Sequence, residues 1–89
     1  MLTALAVLHR VRQCDKAINY ARRALEIHRD TGHRLGEAQT LLALGQVLND
    51  TGQTDTALAN WRMALAIFTA IGTPEVEDVR TLLALHGGE

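Results

Sequence analysis

The sequence predicts an all-α protein made of antiparallel helical hairpins that stack as a short solenoid of about five helices. The first observation is an internal repeat of forty residues. Seven residues, Asp15, Ala17, Arg22, Ala24, Leu25, Ile27 and Gly32, recur as Asp55, Ala57, Arg62, Ala64, Leu65, Ile67 and Gly72. The second is glycine spacing: Gly32, Gly52 and Gly72 lie twenty residues apart, each after a helix-like stretch. Low Pro and aromatic content also favours helices over a sandwich or barrel.

The apolar pattern places the helices at residues 2–11, 15–30, 35–51, 55–71 and 74–86. The third helix carries an apolar stripe of Leu41, Leu44 and Leu48. The fourth carries a wider one, formed by Ala57, Leu58, Trp61, Ala64, Leu65 and Phe68. Both helices are amphipathic and must bury that face against a neighbour. For the fifth helix, Thr73 is the expected N-cap, with Pro74 at the first helical position.

A single domain is expected over residues 1–89, with a partial repeat at 1–32, a full repeat at 33–72 and a partial repeat at 73–89. The third copy shows in the run 81–85, Thr-Leu-Leu-Ala-Leu, which matches residues 40–44 at an offset of forty-one. The extra residue falls in the turn at Thr73-Pro74. The chain is therefore expected to open inside one hairpin and close inside another.

Charge and cysteine usage indicate a soluble cytoplasmic protein. The net charge of −1 gives no overall attraction to nucleic acid. Residues 1–45 carry +3 and residues 46–89 carry −4, which is either ordinary surface variation or a head-to-tail attraction between chain ends. Cys14 stands alone, so no internal disulfide forms, as in a reducing compartment. The apolar start is short and is interpreted as a core helix rather than a signal peptide, and no membrane-spanning stretch is expected.

No enzyme is predicted, and no catalytic, cofactor-binding or metal-binding residue. The chain has no Ser, no Gly-rich phosphate loop, and no histidine paired with a carboxylate or Cys at metal-ligand spacing. His28 and His33 flank a turn, and Cys14 is interpreted as a structural thiol. Six basic residues, Arg10, Arg12, Lys16, Arg22, Arg23 and Arg29, lack interleaved aromatics, so a solvated helix surface is favoured over a nucleic-acid groove.

Two stretches carry a family resemblance. One is Leu41-x-x-Leu44-Gly45-x-x-Leu48, and the other is Ala57-x-x-x-Trp61-x-x-Ala64. They resemble the tetratricopeptide motif, in which small residues let two helices approach closely and large ones fill the gaps. The chain departs from the motif by its forty-residue period and by Thr69 at the closing Pro position. The first copy is also weaker, with Leu5 at the Gly45 position and Ala21 at the Trp61 position. The resemblance implies a short tetratricopeptide solenoid.

A narrower resemblance lies in residues 28–45 and in Ala-Ile-Phe-x-x-Ile-Gly-Thr-Pro-Glu at 66–75. These are similar to the C-terminal tetratricopeptide arrays of actinobacterial transcriptional regulators of the NB-ARC and antibiotic-regulatory type. In that family the array follows a winged-helix DNA-binding domain and a nucleotide-binding ATPase module. The resemblance implies that this chain is a fragment or a stand-alone relative with a role in sensing or self-assembly. DNA and ATP would be handled elsewhere.

The resemblance also implies a protein-binding concave face. By motif position its residues are Gln39, Leu42, Gln46, Asn49 and Asp50. Chaperone-binding relatives clamp a peptide carboxylate with a Lys and an Asn, whose places are taken here by Leu42 and Gln46. The expected ligand is therefore apolar or neutral, such as a partner helix. The alternative is that this face is exposed without a partner, or covered by a neighbour.

Self-association is the other expectation, because a helical repeat needs neighbours to bury its apolar face. The residues expected to contribute at the two ends are Leu2, Leu5, Leu8, Val79, Leu82, Leu83 and Leu85. Pairing of these ends gives a homodimer or a continued solenoid. Two functions stay open: an interaction or oligomerisation module of a larger transcriptional regulator, or a stand-alone helical scaffold that associates only with itself.

Overall fold

A computed structural model describes the backbone of residues 4–87 and the side chains of residues 12–87. This part of the chain forms four α-helices: α1 Ala4–Thr31, α2 Arg34–Asp50, α3 Thr54–Ile71 and α4 Glu75–Leu85. No strand occurs in it. Short turns join the helices, and each helix packs on the next along the chain, so neighbours run antiparallel. The all-α class expected from the repeat is confirmed.

The glycine spacing correctly placed the three turns. Gly32, Gly52 and Gly72 have φ values of +70°, +85° and +83°, a left-handed conformation that is costly for residues with a Cβ. After α2, the Gln53 amide donates to the Leu48 carbonyl at 2.8 Å, so the turn also satisfies carbonyls at the helix end. The glycines therefore fix both the length of each helix and the reversal of direction.

The helices expected at 2–11 and 15–30 are a single helix, α1. The forty-residue offset explains the difference, because the position of Gly52 is taken by Arg12 in the first copy. An Arg does not favour the left-handed conformation that ends α2, and it is a good helix former. Nothing in this stretch stops the helix, which therefore continues through residue 12.

The core lies along the α2–α3 hairpin. Trp61 and Phe68 of α3 are its largest fully buried side chains, together with Leu41 and Leu48 of α2. Gly45 lets the two helices approach closely, since a Cβ at this position would clash with the Trp61 indole at Nε1. The indole N–H donates to the Leu42 carbonyl at 3.2 Å, so the buried ring has a polar partner as well as apolar contacts. Gly45 thus has the small-residue role and Trp61 the filling role that the motif implied, and the structure places the two in contact.

The start of α4 differs from the expected cap. Thr73 Oγ1 is buried and lacks a hydrogen-bond partner among the described residues, and the helix begins at Glu75 after Pro74. The amides of Val76 and Glu77 instead donate to the backbone carbonyls of Thr73 and Pro74. The hydroxyl cap predicted at Thr73 is therefore wrong. Packing of Val79 and Leu83 in the core holds α4 in place.

Candidate protein-binding surfaces

The five residues expected on the concave face lie along one side of α2. We call Gln39, Leu42, Gln46, Asn49 and Asp50 the α2 stripe; their spacing of three to four residues keeps them on one helix face. Gln39, Gln46 and Asp50 are exposed, while Leu42 and Asn49 are half-buried. The opposite side of α2, including Ala38, Leu41 and Leu48, is buried against α1 and α3. The structure thus brings the five residues together on a helix held by two neighbours.

The α2 stripe has an apolar centre and an amide rim. Leu42 packs against the core, so its rotation is restrained and its exposed part is a fixed apolar spot. Asn49 Oδ1 accepts a hydrogen bond from Thr54 Oγ1 at 3.2 Å, which ties that end of the stripe to the turn before α3. Gln39 and Gln46 flank Leu42, and the charged group is Asp50. A surface of this kind has no cation with which to hold a carboxylate.

A buried carboxylate joins α1 to the start of α2. Glu37 is only 7% exposed, and its oxygens lie 3.1 Å from Arg29 Nε and 3.3 Å from Arg34 Nη1. The two guanidinium groups satisfy a charge that would otherwise be costly to bury. Sequence reasoning missed this cluster; Arg34 and Glu37 at i,i+3 on a helix were the available signal. Its role is to fix the first turn of α2 against α1.

Two histidines close the first turn. The rings of His28 and His33 meet edge to face with centroids 4.9 Å apart, and their Nδ1 atoms are 3.2 Å apart. A hydrogen bond at this distance requires one Nδ1 to donate and the other to accept. No group of three metal-ligating side chains gathers within the part of the chain whose side chains are described. The pair therefore fits a turn-closing contact.

The residues expected to drive self-association differ in their exposure to solvent. Leu2, Leu5 and Leu8 lie outside the residues whose side chains are described. Val79 and Leu83, 0% and 2% exposed, face α3 within the same chain, so the expectation that they form a free surface is wrong. Leu82 is half-buried and Leu85 is 74% exposed. Among the members of this set whose side chains are described, Leu82 and Leu85 are the two that are accessible to another molecule.

Sequence reasoning missed two exposed residues of α1. Tyr20 and Ile27 are 71% and 60% exposed, although the forty-residue offset aligns them with Asn60 and Ile67, which are 8% and 6% exposed. The local pattern treats both copies alike. The difference arises because α3 packs between α2 and α4, whereas α1 makes its substantial contacts with α2.

A sequence model of the tetratricopeptide repeat matches residues 1–72. The regulatory protein AfsR of Streptomyces griseus is 39% identical over 83 residues, which are 92% of this chain and 8% of that protein. AfsR of Streptomyces coelicolor is 38% identical over 68 residues, which are 76% of this chain and 7% of that protein. No solved structure gives a significant match.

These matches confirm the resemblance to tetratricopeptide arrays of actinobacterial regulators. The chain spans less than a tenth of each regulator that it matches, 8% and 7%. Within the described residues, no helix is both long and apolar enough to cross a bilayer.

Proposed function

This chain belongs to the tetratricopeptide repeat family, and we propose that it is a protein–protein interaction module within a larger transcriptional regulator. Helical repeat arrays present extended surfaces on rigid elements, which suits them to binding other proteins. The observation that supports this function is the α2 stripe, a contiguous surface centred on half-buried Leu42. Tetratricopeptide repeats and regulatory relatives also fit a non-enzymatic role.

The geometry of the α2 stripe suits a partner helix. Leu42 offers a fixed apolar contact at its centre, and Gln39 and Gln46 offer amide donors and acceptors one helical turn away on either side. An amphipathic helix binds such a surface through apolar side chains that lie three to four residues apart. Because α1 and α3 hold α2 in place, little conformational entropy would be lost on binding.

The charge of the α2 stripe restricts the chemical class of its partner further. It carries no Lys or Arg, so it offers no attraction for phosphate or for a peptide carboxylate. We therefore expect an apolar or neutral protein helix, with no direct contact to nucleic acid and none to a membrane. The proposal places the module in the cytoplasm, where other parts of the regulator would handle DNA and ATP.

Site-specific photo-crosslinking tests this function. A photoreactive phenylalanine at Gln46, introduced into the chain in its native host, should yield one discrete cross-linked protein, identified by mass spectrometry. The same group at Met63, which is 46% exposed on α3 outside the α2 stripe, is the matched control and should not yield it. A helix taken from the captured protein should then bind the purified chain and lose binding with Leu42→Asp.

The control at Met63 separates specific cross-linking from non-specific cross-linking. If Gln46 and Met63 cross-link to the same proteins, contact at the α2 stripe is non-specific and the proposal fails. If the captured helix binds Leu42→Asp as well as the unchanged chain, Leu42 is not the centre of the contact. Circular dichroism of the variant checks that the helices are intact.

A further inference from the structure

The turn between α1 and α2 holds two histidine side chains against each other. The His33 amide donates to the His28 carbonyl at 2.8 Å, and Gly32, with a φ of +70°, reverses the chain between them. The Nδ1 atoms of the two rings face each other at 3.2 Å. His28 lies in the last turn of α1 and His33 directly precedes α2. Both imidazoles are therefore carried on backbone that the turn fixes.

Gly36 leaves room for the two rings. It is buried in the first turn of α2, and a Cβ there would lie 2.6 Å from His28 Nδ1 and 2.8 Å from His33 Nδ1. Both distances are shorter than a carbon atom keeps from its non-bonded neighbours, so a side chain at residue 36 would push the rings apart. The meeting of the two nitrogens therefore depends on a glycine of the neighbouring helix.

The separation of the two nitrogens matches that of two ligands on one zinc ion. Zinc binds histidine nitrogens at about 2.0–2.1 Å, and two such nitrogens lie about 3.3 Å apart at the tetrahedral angle. The square-planar angle of copper(II) would bring them to about 2.9 Å, further from the observed 3.2 Å. Four residues separate the two histidines in the sequence, as in the histidine pairs of zinc fingers, which are separated by about three to five.

We propose that His28 and His33 bind Zn²⁺ through their two Nδ1 atoms. In the hydrogen bond between the rings, one Nδ1 donates its proton and the other accepts it. On zinc binding, that proton moves to Nε2 of its own ring, so both neutral imidazoles offer an Nδ1 lone pair to the ion. The contact that closes the turn thus becomes a two-histidine zinc site, with water in the remaining coordination positions.

The charged groups beside the turn leave the two histidines as the protein ligands. Glu37 follows Gly36 in the sequence, but its oxygens are held by Arg29 Nε at 3.1 Å and Arg34 Nη1 at 3.3 Å. This carboxylate therefore neutralises guanidinium charge near the turn instead of binding the ion. Among the side chains that the structure describes, no third metal-ligating group joins the pair. The site is consequently an open one.

Bound zinc would tie the end of α1 to the start of α2. An ion that binds the folded chain more tightly than the unfolded chain stabilises the fold, because the two ligands are brought together by the turn. The site uses no residue of the α2 stripe. It is therefore separate from the surface proposed for a partner helix, and its test is independent of cross-linking at Gln46.

Zinc titration of the purified chain, first stripped of metal with a chelator, tests the site. Calorimetry should give one Zn²⁺ per chain, and the midpoint of thermal unfolding should rise with zinc concentration. His28→Gln and His33→Gln should each weaken zinc affinity at least about tenfold, since changes beyond a metal's own ligands already cost that much. His86→Gln is the matched control, because His86 is exposed and contacts Trp61 instead of the pair. It should bind zinc like the unchanged chain.

Gly36→Ala distinguishes a built site from two independent histidines. It keeps both histidines but displaces their rings, and alanine favours the helix, so the chain should stay folded and lose zinc affinity as the histidine variants do. Equal zinc affinity in Gly36→Ala and the unchanged chain would show an adventitious ion only, and so would equal affinity in the histidine variants. An unchanged chain that binds no zinc at millimolar concentration would also overturn the proposal. If circular dichroism shows Gly36→Ala unfolded, the two histidine variants decide.

Discussion

α1 and α3 carry the same repeat but differ in what surrounds them. α3 packs on α2 along one side and on α4 along another, so Ile67 is 6% exposed. α1 has α2 as its substantial neighbour, and the equivalent Ile27 is 60% exposed. In a stacked array, burial is therefore set by the number of neighbouring helices as much as by the local pattern. A helix with one neighbour can carry the sequence of a core element without its surroundings.

The largest loss of stability should come from truncating Trp61, the large core residue that α3 has and α1 lacks. Trp61→Ala gives α3 the side chain that α1 carries at Ala21. The ring is 1% exposed, so truncation leaves a large cavity, and the free energy of unfolding should fall by about 3–5 kcal/mol. Urea unfolding followed by circular dichroism measures it. A loss below about 1 kcal/mol would mean that the α2–α3 hairpin does not depend on this side chain.

The effect of a second variant on stability should be opposite in sign in the presence and in the absence of the Trp61 side chain. Gly45→Ala places a methyl group against Nε1 of the Trp61 indole, and the resulting overpacking should lower the free energy of unfolding by about 1–3 kcal/mol. In Trp61→Ala the obstruction is gone, and the same change should stabilise α2 by about 0.5–1 kcal/mol through helix propensity. The four proteins form a double-mutant cycle in urea unfolding. Additive effects would show that Gly45 and Trp61 do not act as a pair.

The smallest expected change in stability comes from shortening each of the two equivalent isoleucines, Ile67 and Ile27, to valine. Ile67→Val should lower the free energy of unfolding by about 0.5–1.5 kcal/mol, because it removes a methylene from a packed site. Ile27→Val should change it by less than about 0.5 kcal/mol, because Ile27 is exposed. Thermal or urea unfolding is measured at a protein concentration at which the chain is monomeric. Equal losses would place Ile27 in a packed environment that the single chain does not provide.

The turns were predicted correctly, because a position that needs the left-handed conformation is usually occupied by glycine, which is visible in the sequence. The family resemblance implied that Gly45 lets the helices approach and that Trp61 fills the gaps between them, but the direct contact of these two residues came from the structure. The end of the first expected helix was wrong, although the trace was present: Arg12 stands where Gly52 ends α2. Apolar periodicity continues across such a position whether or not the helix does.

The candidate surfaces were harder to predict. The α2 stripe follows from motif position, and its role in binding stays a prediction, as does the division of residues 1–89 into partial, full and partial repeats. For α4, the apolar residues can be identified from the sequence but their direction cannot: Val79 and Leu83 are buried, while Leu85 is exposed to solvent. Thr73 failed as a cap because Pro74 lies between it and the first helical residue, and its buried hydroxyl has no hydrogen-bond partner among the described residues. Such outcomes depend on neighbours distant in sequence.

The packing of each helix on its sequence neighbour also bears on how the chain acquires its structure. Its contacts join segments a few tens of residues apart, and chains with such local contacts fold in microseconds to milliseconds. The α2–α3 hairpin holds Trp61 and most of the fully buried side chains, so we expect it to form the folding nucleus, with α1 and α4 packing on it later. Hydrogen exchange should accordingly be slowest in the middle of the array and fastest at its ends.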